Sequence, residues 1–146
     1  MDYLTIDVGG AQRQSGFPLY PDGFYVLRVK EINKKANKDQ TGMNVFYGTE
    51  IVMGPGRSLE YAGKTFSDII AEDQKNAGRH KDLAIVCFGS EQALLDALRP
   101  HQGRFAPEML IGHSYIVRMT KGDKFNNVAE RFPYDEATWA KVNQGK

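Results

Sequence analysis

The sequence predicts a mainly β domain of five strands with a helical segment between the third and the fourth. Apolar and polar side chains alternate in several short runs, as in half-buried strands, and glycine or proline clusters separate most of these runs. A stretch with helical spacing of its apolar residues, over about 82–99, interrupts the series. The predicted strands lie in 24–32, 42–56, 62–70, 114–120 and 127–132.

The alternation is clearest in the first two strands. In the first strand, Tyr25, Leu27 and Val29 share one face. In the second strand, Phe46 and Tyr47 are neighbours, and neighbouring side chains of a strand point to opposite faces. We therefore expect one of these two aromatic side chains to lie in the core.

Glycine and serine mark the irregular positions. Gly48 lies in the middle of the second strand, which is typical of a bulge or a bend. Gly89 and Ser90 interrupt the helical stretch and favour two helices, with Ser90 capping the second and Glu91 in its first turn. Residues 71–81 have almost no apolar side chains and are expected to form a surface insertion.

The order of these elements predicts the domain organisation. Five strands with a helix between the third and the fourth is the arrangement of the Greek-key OB barrel. We assign residues 18–134 to this OB-fold domain, 1–17 to an N-terminal arm and 135–146 to a short C-terminal helix or tail. A chain of 146 residues suits one such domain with its own core.

The composition excludes several classes of protein. Nineteen Lys and Arg against eighteen Asp and Glu leave a net charge of +1, so a polyanion must be bound by a local basic patch. The single cysteine, Cys87, excludes an internal disulfide framework and a cysteine-rich zinc site. No run approaches the roughly 18 apolar residues of a membrane span, and the first residues lack a secretory pattern. We expect a soluble cytoplasmic protein.

The sequence contains no recognisable catalytic motif. His80, His101 and His113 lie in different segments, and none has the spacing of a metal-binding pair. A nucleophile elbow of the form G-x-S-x-G is absent. Cys87 lies in the apolar run AIVCF, which favours a buried thiol over a nucleophile. We therefore predict no catalytic residue, no metal and no cofactor.

Basic and aromatic residues are interleaved in two regions that the strand assignment makes hairpins. Residues 28–38 contain five basic residues and one acid, and residues 118–124 contain three basic residues and one acid. A single-stranded nucleic acid needs cations for its phosphates and flat side chains for its bases. Composition alone leaves a protein-binding module open, because hairpin lysines also protect sheet edges and strand aromatics often belong to the core.

The order of several short motifs resembles that of the small OB-fold single-stranded-DNA-binding proteins of bacteriophages and prophages. A lysine-rich hairpin ending at Gly42 separates the first motif from the others. The matching segments are 21–26 (PDGFYV), 50–55 (EIVMGP), 63–66 (GKTF), 110–112 (LIG), 117–119 (VRM), 127–128 (NV) and 132–133 (FP).

This resemblance implies a protein that coats single-stranded DNA, largely without regard to sequence, during phage replication and recombination. It implies no catalytic residue and no required metal. The implied partners are single-stranded DNA, phage replication or recombination proteins and other copies of the chain, in the cytoplasm of an infected or lysogenic bacterium. The alternative is an OB-fold protein-interaction module whose exposed aromatics contact another protein.

The candidate interface combines phosphate-binding cations with stacking aromatics, and we expect the two basic hairpins to meet on one face. The proposed phosphate contacts are Arg28, Lys30, Lys34, Lys35, Lys38, Lys64, Arg118, Lys121, Lys124 and Arg131. The proposed stacking residues are Phe46, Tyr47, Phe66, Tyr115 and Phe125.

Overall fold

A computed structural model describes residues 2–3, 5–6, 19–36, 42–123 and 125–144 of the chain. The predicted five strands and the intervening helical segment are confirmed. In chain order the elements are β1 (Gly23–Ala36), β2 (Met43–Met53), β3 (Thr65–Ala71), α1 (Ala77–Phe88), α2 (Glu91–Leu98), β4 (Ser114–Lys121), β5 (Asn126–Pro133) and α3 (Glu136–Gln144).

The five strands form one antiparallel, open sheet in the order β3-β2-β1-β4-β5. The central strand, β1, is 14 residues long and divides its length between two neighbours. Residues 23–28 pair with β4, and residues 26–36 pair with β2. The two end strands of the sheet are therefore β3 and β5.

The register between β1 and β2 shifts near Gly48, as the glycine in mid-strand predicted. The shift falls between Val29 and Glu31, and Glu31 then pairs with Gly48. A Cβ atom at Gly48 would lie 2.8 Å from Cγ of Glu31, so the glycine lets the glutamate side chain cross the neighbouring strand.

The helical region contains two helices, as predicted. The hydroxyl of Ser90 accepts a hydrogen bond from the backbone N–H of Ala93 at 3.1 Å and caps α2. The residues expected to form a surface insertion, 71–81, are mostly exposed, but they are not an insertion: Ala71 ends β3, and residues 77–81 begin α1. A short turn starts at Asp73, whose carboxylate accepts a hydrogen bond from the backbone N–H of Asn76 at 2.8 Å.

Two sequence boundaries also move. The third strand begins at Thr65 rather than near residue 62, because Gly63 has a φ of +85° and its N–H bonds to the Ile51 carbonyl in a turn. The first strand continues to Ala36, so Lys34 and Lys35 lie on β1 itself.

The main core lies on the inward face of the sheet, under α1 and α2. It contains inward side chains of every strand together with helix residues such as Leu83, Ala84 and Leu94. A second, smaller cluster lies on the outward face of β1 and β4, where α3 packs. There Trp139 contacts Val26 and Ile116. Among the described residues, no helix is long and apolar enough to cross a bilayer.

A buried ion pair joins the two end strands. Asp68 of β3 is only 3% exposed. Its carboxylate accepts two hydrogen bonds from the guanidinium of Arg131 on β5, at 2.6 and 3.0 Å. It accepts a third from the hydroxyl of Tyr115 on β4, at 3.0 Å. Side chains thus join β3 to β5, which share no ladder among the described strands.

We expect Asp68→Asn to lower the free energy of unfolding by about 3–5 kcal/mol, because it leaves a largely buried guanidinium without its counter-charge. Urea unfolding followed by circular dichroism measures the change. The matched control is Glu130→Gln, which breaks the exposed Arg118–Glu130 pair and should cost about 0–1 kcal/mol. Equal midpoints for the two variants would show that the buried pair does not hold the end strands together.

Candidate nucleic-acid interface

An exposed apolar patch lies on the outward face of β2 and β3. Phe46 and Ile69 are direct cross-strand partners. Ile69 is 41% exposed, and Phe46 is half-buried on the side of β2 that points away from the core. The ammonium of Lys35, on β1, lies 5.1 Å from the centre of the Phe46 ring, within the range of a cation–π contact. We call these three side chains the Phe46–Ile69 patch.

The patch has the flat and charged groups that a base and its phosphate require. Ser67 and Gly48 are paired next to it on the same face, and the side chain of Glu31 lies against Gly48 there, so its carboxylate borders the patch. Phe46 and Lys35 were among the predicted site residues, whereas Ile69 was not. Ile69 and Ile70 are adjacent and equally apolar, so only the strand register decides which of them points outward.

Several of the other proposed phosphate contacts are paired with carboxylates. Arg28 and Lys30 share Glu50, at 3.4 and 3.3 Å, and Lys34 contacts Glu72 at 2.9 Å. These pairs are partly exposed. Exposed ion pairs contribute only about 0–1 kcal/mol, so a phosphate can compete for such cations.

The remaining proposed cations differ in their surroundings. Arg118 is in an exposed pair with Glu130 at 2.7 Å. Arg131 is committed to the buried carboxylate of Asp68, which makes it a structural residue rather than an accessible phosphate contact. Within the described ranges, Lys35, Lys64 and Lys121 have no carboxylate within 4.0 Å. The proposed contacts Lys38 and Lys124 lie outside the described residues.

The expectation that one of Phe46 and Tyr47 belongs to the core is confirmed, and the core residue is Tyr47. Tyr47 is fully buried, and its hydroxyl lies 2.7 Å from Nδ1 of His80. Tyr115 is also fully buried and bonded to Asp68. Neither ring is exposed to stack on a base, because both point to the inward face of the sheet.

The other two aromatic candidates are partly or largely exposed. Phe66 points inward from β3 and packs against the core, so only part of its ring reaches the surface. Phe125 lies beside the start of β5 and is 52% exposed. Phe46 therefore remains the aromatic candidate on the open face of β2.

The two basic hairpins do not meet as expected. The β1–β2 hairpin begins where β1 ends, whereas the β4–β5 hairpin lies at the start of β1, because Gly23 pairs with Met119. The backbone N–H of Lys121 also donates to the Asp22 carboxylate at 2.6 Å, just before β1. The hairpins are separated because β1 pairs with β4 through its first residues, 23–28, and with β2 through residues 26–36.

The hairpins instead flank β3 from its two ends. Near the start of β3, Tyr20 bonds through its hydroxyl to the Thr65 carbonyl and through its backbone to the Asn126 side chain, at the root of the β4–β5 hairpin. At the other end, the N–H of Glu72 bonds to the carbonyl of Met43, at the root of the β1–β2 hairpin. The seven residues of β3 itself span about 20 Å.

Comparison with protein-family models and with curated proteins finds no match for this chain.

The side chains of His80 and His113, which could bind a metal ion, have hydrogen-bond partners within the fold. Both ring nitrogens of His80 are hydrogen-bonded, to Tyr47 and to the Ala71 carbonyl. Nδ1 of His113 lies 3.1 Å from the Cys87 carbonyl. In the described part of the chain, no group of three His, Cys, Asp or Glu is placed to hold a metal ion. Cys87 is buried on α1, and burial together with the nearby Asp68 charge raises its pKa to about 12.

We expect the Cys87 thiol to react with an aromatic disulfide reagent at pH 8 about a thousandfold more slowly in the folded protein than in urea. Only the thiolate reacts, and a raised pKa leaves very little thiolate at that pH. The folded rate should still increase with pH above pH 9, where the unfolded chain reaches its plateau. Equal folded and unfolded rates at pH 8 would contradict the burial of this thiol.

Proposed function

We propose that the chain is a non-catalytic OB-fold protein that binds single-stranded DNA with little sequence preference. The strand order β3-β2-β1-β4-β5, with α1 and α2 between β3 and β4, supports the OB fold. The Asp68–Arg131 pair supports it too, because it draws the two end strands toward each other as a barrel requires. In this fold the face of β2 and β3 is a nucleic-acid-binding surface.

The Phe46–Ile69 patch is the observation that supports the function best. It offers a ring and an aliphatic surface to a base, with an ammonium group above the ring for the adjoining phosphate. Stacking of a base on an aromatic side chain contributes about 1–3 kcal/mol and tolerates any base. A protein with a net charge of +1 depends on such local contacts, because its overall charge attracts polyanions weakly.

In this proposal, the bound DNA strand follows the exposed cations around β3. Lys35 lies beside the β1–β2 hairpin, and Lys121 lies at the β4–β5 hairpin. A strand whose bases lie on the patch would have cations near both ends of β3. The motif order that resembles phage single-stranded-DNA-binding proteins supports a role in phage replication and recombination, with the proteins of those processes as partners.

We expect Phe46→Ala to lower the affinity for oligo-dT by about 5- to 150-fold, the loss of one stacked base. The slope of log affinity against log salt should stay unchanged, because no phosphate contact is removed. A fluorescence anisotropy titration at several salt concentrations measures both quantities. The control is Leu95→Ala, which removes an exposed apolar side chain from α2, away from this face.

Two results would contradict the proposal. The first is a wild-type protein that fails to bind micromolar oligo-dT at low salt. The second is an equal effect of Phe46→Ala and Leu95→Ala. In the first case, a pull-down from nuclease-treated host lysate that depends on Phe46 would assign the patch to a protein partner.

A further inference from the structure

A polar groove opens between the two end strands of the sheet. Its volume is about 410 Å³, and it lies where β3 and β5 are joined by side chains. Its polar lining residues are Ser67, Asp68, Arg79, Asn126, Asn127 and Arg131.

Some of the polar groups of the groove are already satisfied by the fold. Arg131 donates twice to Asp68, so the charges of this pair cancel. The side-chain amide of Asn126 accepts from the N–H of Tyr20 and donates to the Tyr20 carbonyl, both at 2.7 Å. These bonds hold the side chains of Asp68, Arg131 and Asn126 in place at the walls of the groove. A ligand would therefore be bound by other residues of the groove.

Three donor side chains remain for a ligand. Arg79, on the first turn of α1, is exposed and has no carboxylate within 4.0 Å among the described residues. Ser67 and Asn127, whose side chains carry a hydroxyl and an amide, also line the groove. A guanidinium, a hydroxyl and an amide are the side-chain groups that contact phosphate oxygens in nucleic-acid complexes.

The charge of the groove favours an anion. Two guanidinium groups line it against one carboxylate, that of Asp68. Two other acids, Asp82 and Glu130, line a separate depression together with Arg131. Glu130 is further engaged by Arg118. Because the charges of Arg131 and Asp68 cancel, the net positive charge of the groove is that of Arg79.

The groove is continuous with the Phe46–Ile69 patch. Ile69 belongs to both, since it pairs with Phe46 across the strands and also lines the groove. Ser67 lies two residues away on the same face of β3. A single DNA strand that leaves the patch over the edge of β3 therefore passes directly into the groove.

We propose that the groove between β3 and β5 holds a phosphate of the single strand whose bases lie on the patch, with Arg79 as the cation that contacts it. The inference rests on the proposed function, because the ligand is the same strand. It adds a phosphate site that lies outside the two basic hairpins and that the sequence analysis did not identify.

The test compares Arg79→Gln and Arg104→Gln in salt-dependent titrations with oligo-dT. Loss of one phosphate contact should make the slope of log affinity against log salt shallower by about 0.7. Between 1 M and 50 mM salt, this difference in slope leaves the variant about eightfold weaker than the wild type at 50 mM. Arg104→Gln removes the same charge from an exposed position that lines a different depression, and should leave the slope unchanged. Arg79→Lys keeps the charge and should restore most of the slope.

The possible outcomes distinguish a failure of the groove proposal from a failure of the proposed single-strand binding. If the wild-type protein binds and Arg79→Gln keeps its full slope, the groove proposal is overturned while single-strand binding stands. The same holds if Arg79→Gln and Arg104→Gln reduce the slope equally, since that effect is one of net charge. If the wild-type protein does not bind, both proposals fail.

Discussion

The carboxylate of Asp68 holds together two strands that share no backbone ladder in the described sheet. A buried charge of this kind is stable only when its hydrogen bonds are satisfied, and three donors from β4 and β5 satisfy it. Burial acts to lower the pKa of Arg131, but the bonds to Asp68 and its charge outweigh burial and raise it. Burial also raises the pKa of Tyr115 well above its usual value. Within this network, Arg131 therefore stays charged and Tyr115 stays neutral. The position of the groove depends on the network, because the groove lies between the two strands that it joins.

The length of β1 sets the layout of the surface. Because the start of β1 pairs with β4 and the rest of it with β2, the two basic hairpins leave from opposite ends of the strand. The open face between them belongs to β2 and β3, where Phe46 and Ile69 are paired. The candidate interface is thus a strip along β3 with cations at its ends.

Much of the fold was predictable because alternation and turn residues are local signals. They gave the five strands, the division into α1 and α2, and the cap at Ser90. The face of each aromatic was harder to predict, since alternation shows only that Phe46 and Tyr47 point apart. Which one is inward depends on the register and on the helices that cover the sheet.

The site was less predictable because its decisive contacts are long-range. Asp68 lies in a mixed run that reads as ordinary polar surface, and its partner Arg131 is 63 residues away. Arg131 therefore looked like a phosphate contact. Arg79 lies in a segment whose composition predicts a surface insertion, and its place beside β3 and β5 follows only from the packing of α1.

The chain's only tryptophan is on α3 and packs on the outward face of β1 and β4. Trp139 is fully buried, and its indole N–H has no hydrogen-bond partner among the described residues. Its neighbour Val26 precedes Asn33, which pairs with Phe46, by seven residues of β1. The intrinsic emission of this protein is therefore an optical reporter of how the C-terminal helix is seated, and ligand titrations need an extrinsic dye.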